Sequence, residues 1–134
     1  MDLKKNDPAG LAEKGFEFEL KLPDGNPTDI KITVRGTNSR IVRDHGRKTF
    51  HELEARKNAM IKRNKKPEDM TLEEAEDLAI ASAVVRVKSW KNIQEDGKDV
   101  EFTKENAERI MRTYPFIREA VVEESDNIHN FPFQ

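Results

Sequence analysis

From Leu78 to Val85 the chain runs Leu-Ala-Ile-Ala-Ser-Ala-Val-Val, eight residues without a charge in a protein of which 37% of residues are charged. A segment that is apolar round most of its circumference escapes water only by being enclosed, so this run is expected to form the spine of the core. Ala79, Ala81, Ser82 and Ala83 are small enough to let neighbouring elements approach closely. Leu78, Ile80, Val84, Val85 and Val87 supply area to bury. Just upstream, Thr71-Leu72-Glu73-Glu74 has the form of a capping box, with a hydroxyl to receive the Glu74 amide and an acidic first turn that suits the helix dipole. These signals predict a central buried helix over 71–89.

At 134 residues the chain is long enough for one domain with a real core, burying about two thirds of the surface exposed by its unfolded form. Cysteine is absent, which excludes disulfides, thiolate zinc sites and thiol catalysis and fits a reducing compartment. The opening Met1-Asp2-Leu3-Lys4-Lys5 lacks the apolar run of a secretory signal, and no stretch of 18 apolar residues occurs. The expectation is a cytoplasmic protein without membrane contact. The net charge of −2 conceals an uneven distribution. Residues 39–66 carry ten Lys/Arg against three Asp/Glu, and residues 67–134 carry eight against sixteen. Two such blocks are able to pair within one molecule or with a partner.

Residues 1–15 show no period and read as a flexible N-terminus. Phe16, Phe18, Leu20 and Leu22 then alternate with Glu17, Glu19 and Lys21, and Ile30, Ile32 and Val34 alternate with Lys31, Thr33 and Arg35. With the turn formers Pro23 to Asp29 between them, they predict a hairpin over 16–35. Ser39 is a suitable N-cap for a helix over about 39–64, with Pro67 as its stop. That helix contains Gly46, at a cost of about 1 kcal/mol against Ala. Its apolar residues, among them Phe50, Leu53, Met60 and Ile61, make only a thin stripe, the pattern of a solvated arm or an oligomer contact. Asp96-Gly97 marks a turn, and Ile93, Val100 and Phe102 suggest short extended segments around it. Thr103 caps a helix over 104–113, Pro115 opens one over 115–123, and 125–134 reads as an irregular tail. The fold expected is α+β and mainly helical: an N-terminal hairpin followed by a body of three to four helices, in a single domain over 16–124.

Motifs that would carry chemistry are weak. Asn92 to Gly97 matches the start of a calcium loop, but the first position is neutral and the twelfth is Thr103 where a bidentate Glu is required, so the stretch reads as a plain turn. His45, His51 and His129 have no metal-ligand spacing. No phosphate loop, nucleophile elbow or dinucleotide fingerprint appears, and the expectation is a protein that is not an enzyme, with no catalytic residue, metal or cofactor. The basic helix over 40–66 supports an alternative, a small nucleic-acid-binding module. Against it stand a single aromatic in the block, Phe50, and the acidic balance of the chain as a whole.

Several pieces in order resemble one family. They are Gly25-Asn26-Pro27-Thr28-Asp29 before Ile30-Lys31-Ile32-Thr33-Val34, then Asn38-Ser39-Arg40, and later Val87-Lys88-Ser89-Trp90 and Glu95-Asp96-Gly97-Lys98. Val100-Glu101-Phe102-Thr103-Lys104-Glu105-Asn106-Ala107 and Tyr114-Pro115-Phe116-Ile117-Arg118-Glu119-Ala120 complete the pattern. Together they resemble the tail assembly chaperones of long-tailed bacteriophages. The resemblance implies a non-catalytic protein of the infected bacterium's cytoplasm, absent from the finished virion. It further implies binding to the tape measure protein, assistance to the tail tube protein, self-association as a homo-oligomer, and in many members a longer form made by frameshifting. An apolar groove near Trp90, Phe102 and Phe116 would suit a helical client, although an aromatic such as Trp90 is more often core than contact.

Overall fold

The structure, a computed structural model, describes residues 1–66 and 70–133. Pro67, expected to stop the long helix, lies outside the described residues. The described elements are α1 (Pro8–Lys14), β1 (Phe16–Lys21), β2 (Pro27–Val34), α2 (Arg40–Lys62), α3 (Leu72–Arg86), β3 (Val87–Lys91), β4 (Gln94–Glu95), β5 (Lys98–Asp99), α4 (Lys104–Thr113) and α5 (Pro115–Asp126). A single 3-10 turn, Ile128–Asn130, follows α5. The architecture is broadly α+β, with 54% of the chain helical.

The expected order, a hairpin followed by three to four helices, is overturned. A helix precedes the hairpin, five helices are present among the described residues, and strands recur after the third helix. The segment expected to be a flexible lead-in contains α1. Asp7 caps it by accepting from the Ala9 amide, Pro8 occupies its first turn, and Leu11 and Ala12 are buried. Gly15 ends the helix at φ +87°, and a Cβ there would come within 3.1 Å of the Val34 carbonyl and of the Lys88 side chain. Lys88 Nζ also donates to the Glu13 carbonyl at 2.7 Å, satisfying one of the groups that the end of α1 leaves open.

The second correction concerns the central helix, expected to reach residue 89. It ends at Arg86, and Val87–Lys91 turns directly into β3, which pairs antiparallel with β2 to make a three-stranded sheet in the order β1-β2-β3. Ile32 lies opposite both Phe18 and Trp90 in the two pairings. The switch from helix to strand is held by Arg35 at the end of β2. Its Nη1 donates to the Val85 and Val87 carbonyls at 3.1 and 3.0 Å, and its amide donates to the Arg86 carbonyl at 2.6 Å. Carbonyls that a continuing helix would have bonded are thereby satisfied from outside. The same guanidinium reaches Glu13 at 3.1 Å. Buried Ser125 donates to the Arg35 carbonyl at 2.6 Å and accepts from Arg86, which also pairs with Asp126 at 2.9 Å. One polar cluster thus ties α1, β2, the α3/β3 junction and α5 together.

The core lies between the sheet and helices α3, α4 and α5. Leu20, Ile32, Val34, Ile80, Ala83, Val87, Ala107, Ile110, Met111 and Val121 are its most enclosed members. Of the uncharged run 78–85 only Ile80 and Ala83 are buried. The helix is therefore a spine at its C-terminal end, while its first two turns stand outside the core. Phe131, from the C-terminal segment, packs edge-on to Phe16 and lies against Gly36, where an added Cβ would be 2.9 Å from Ala12 Cβ. The tail is therefore joined to the fold, with Asn130 Nδ2 donating to the Glu124 carbonyl and carboxylate. Between β3 and α4, β4 and β5 form a small hairpin whose turn, Asp96-Gly97, has positive φ at both residues, as a tight two-residue turn requires. Glu95 fixes it to the helices through Arg109 at 2.6 Å and the Tyr114 hydroxyl at 3.3 Å.

Candidate functional site

The three aromatics singled out from the sequence occupy two settings. Trp90 is 8% exposed and belongs to the core, and its Nε1 donates to the Val100 carbonyl at 2.8 Å. Phe102 stands edge-on to it with ring centroids 5.0 Å apart and is 37% exposed, so it shields the indole and faces water with its other side. Phe116 is half-buried and takes Tyr114 as its ring neighbour at 6.4 Å. Phe102 is the one of the three that offers surface.

The larger apolar surface lies on α2. This helix of 23 residues, about 34 Å long at 1.5 Å per residue, buries Val42 alone, while Phe50 (60%), Leu53 (37%) and Ile61 (51%) are exposed. Ser39 starts the helix by accepting from the Val42 amide at 3.2 Å. Its far half meets α3 through a bidentate pair, Arg56 to Glu74 at 2.7 and 3.3 Å. That hydrogen bond, ahead of Coulombic attraction, holds the Glu74 carboxyl below its ordinary value of 4.5. At about 100° per residue, Arg43, Arg47, Phe50, Lys57 and Ile61 share a sector between about 100° and 180° round the helix from Arg56. Glu54 shares it too. His51 stands edge-on to Phe50 at 5.8 Å. The sector combines an apolar stripe with a surplus of positive charge; Leu72 (87%), the first residue of α3, and Met70 (40%) just before it are also exposed. The thin stripe and the basic block were both visible in the sequence, whereas their concentration on one outward sector depends on how α2 meets α3.

An apolar cleft of about 510 Å3 lies elsewhere, between α1, residues 36–38 and the C-terminal segment, lined among others by Leu11, Ala12, Ile128, Phe131 and Phe133. Among the described residues no group of three or more His, Asp or Glu is placed to hold a metal ion, and no helix is long and apolar enough to cross a membrane.

The features above define an α+β domain from which a basic, partly apolar helical arm projects. Residues 45–133 match the model of a family described as YdaY prophage protein. The match begins within α2 and spans about two thirds of the chain, so the chain is phage-derived and belongs to the YdaY prophage protein family. A search of curated proteins and one of solved structures returned no match.

Proposed function

We propose that this protein is a tail assembly chaperone, working in the host cytoplasm, that binds the tape measure protein and assists assembly of the tail tube without entering the virion. Its phage origin and the ordered sequence pieces that resemble such chaperones support this reading. The observation that carries it is the α2 arm, because three large apolar side chains held 37–60% exposed on one helix form a stripe of the kind that receives another helix. A tape measure protein is a long helical chain whose apolar stripes need cover before the tail forms, and a partner helix laid along α2 would supply it. The cations of the arm are interleaved with Phe50 and Ile61, a mixture that suits an amphipathic protein segment better than a bare phosphate backbone.

Co-expression with the tape measure protein of the same prophage tests the reading. A soluble complex that copurifies is the expected result, and a tape measure protein left in the pellet despite abundant chaperone would overturn it. A tape measure gene directly downstream and a tail tube gene upstream would add independent support.

A further inference from the structure

We propose that the segment received by the arm is an acidic amphipathic helix, bound along the sector of α2 that carries Arg43, Arg47, Phe50, Lys57 and Ile61. This rests on the chaperone reading and gives the client a chemistry. Three cations and one anion, Glu54, share the sector with the exposed apolar pair. Across residues 39–66 positive charges outnumber negative ones ten to three. Among the described residues, Arg56 to Glu74 is the ion pair that links this basic block to the acidic remainder of the chain. Among the described residues Arg47 pairs only with its own neighbour Asp44, with both side chains about 60% exposed. Arg43, Arg47 and Lys57 thus face water beside an apolar stripe. A partner helix with Leu or Ile along one seam and Glu or Asp on its flanks would cover the stripe and place carboxylates against the cations, as flanking charges do when two helices pair. A basic helix would meet the same apolar stripe and be repelled. The net charge of the protein is −2, so a preference for an acidic partner is not expected from the molecule as a whole and has to come from this arm.

The test uses the full chain and two fluorescein-labelled 28-residue helical peptides with Leu at the seam positions, one flanked by Glu and the other by Lys. Anisotropy in 50 mM salt is expected to show at least tenfold tighter binding of the Glu peptide, shrinking to less than threefold in 0.5 M salt. Reversing Arg43→Glu, Arg47→Glu and Lys57→Glu together should invert the preference toward the Lys peptide. Phe50→Ser with Ile61→Ser should weaken both peptides tenfold or more. Circular dichroism and Trp90 fluorescence, which report the body, confirm that the variants are folded. Equal binding of the two peptides, or no inversion on charge reversal, would overturn the inference. So would a duplex oligonucleotide bound as tightly as the Glu peptide, or variants that abolish concentration-dependent self-association while leaving peptide binding intact. If the wild-type chain solubilises the tape measure protein and the charge-reversed chain does so equally well, this inference fails while the chaperone reading stands. If the wild-type chain does not solubilise it, the chaperone reading itself fails.

Discussion

The α2 arm and the body built on α4, α5 and the sheet are both helical in large part, yet they are held in opposite ways. In the body, Ala107, Ile110, Met111, Ile117 and Val121 are buried, and the polar groups at the element ends find partners in the cluster around Arg35 and Ser125. Along α2 one residue in 23 is buried, and the contacts that fasten its far half include a solvent-facing ion pair with Glu74. Burial of apolar area dominates folding energy, whereas exposed ion pairs contribute little. The body is therefore the source of stability, and the arm is a surface that it supports.

The largest expected effect tests the body. Trp90→Ala removes a side chain that is 8% exposed and should cost about 3–5 kcal/mol, read as a shift of the urea midpoint. A loss under about 1 kcal/mol would place the indole outside the core and erase the contrast. Next comes the helix-to-strand junction. Arg35→Ala leaves the Val85 and Val87 carbonyls without their donor and should cost about 1–3 kcal/mol in the same assay. Gly46→Ala on the arm has the opposite sign, because an added Cβ there meets nothing within 4 Å. It should gain up to about 1 kcal/mol of helix stability, visible as slower amide exchange in α2. The smallest effect is acid sensitivity confined to the contact between the arm and the start of α3. Because the folded Glu74 carboxyl lies below its ordinary value of 4.5, its contribution is complete above that value and disappears as the pH falls through the lower folded value. Protection at residues 72–76, taken relative to intrinsic exchange, should therefore fall only below pH 4.5, while the Ile110 and Val121 amides stay protected. Simultaneous loosening of both regions would show that arm and body are one cooperative unit.

Local signals were readable where the chain makes its own boundaries. Ser39, Thr71 and Thr103 all act as N-caps through their hydroxyls, and Pro115 opens α5, each at its expected position. The alternation of Phe16 to Leu20 and of Ile30 to Val34 became paired strands. What escaped the sequence depends on distant partners or short length. The seven residues of α1 are too few to display a period, although Asp7-Pro8 and Gly15 bracket it. Val84, Val85 and Val87 suit helix or strand alike, and the choice is made by β2 and Arg35, fifty or more residues away in sequence. The thin apolar stripe of α2 and its reading as a solvated arm or oligomer contact were legible, but which residues gather on the outward sector was not, since that depends on which residues α3 happens to cover.

Because α3 passes into β3 with no intervening loop, the backbone that begins beside the arm finishes as a member of the sheet. There is no slack at that joint, so a pull on α3 would be passed straight to the strand that holds the tryptophan.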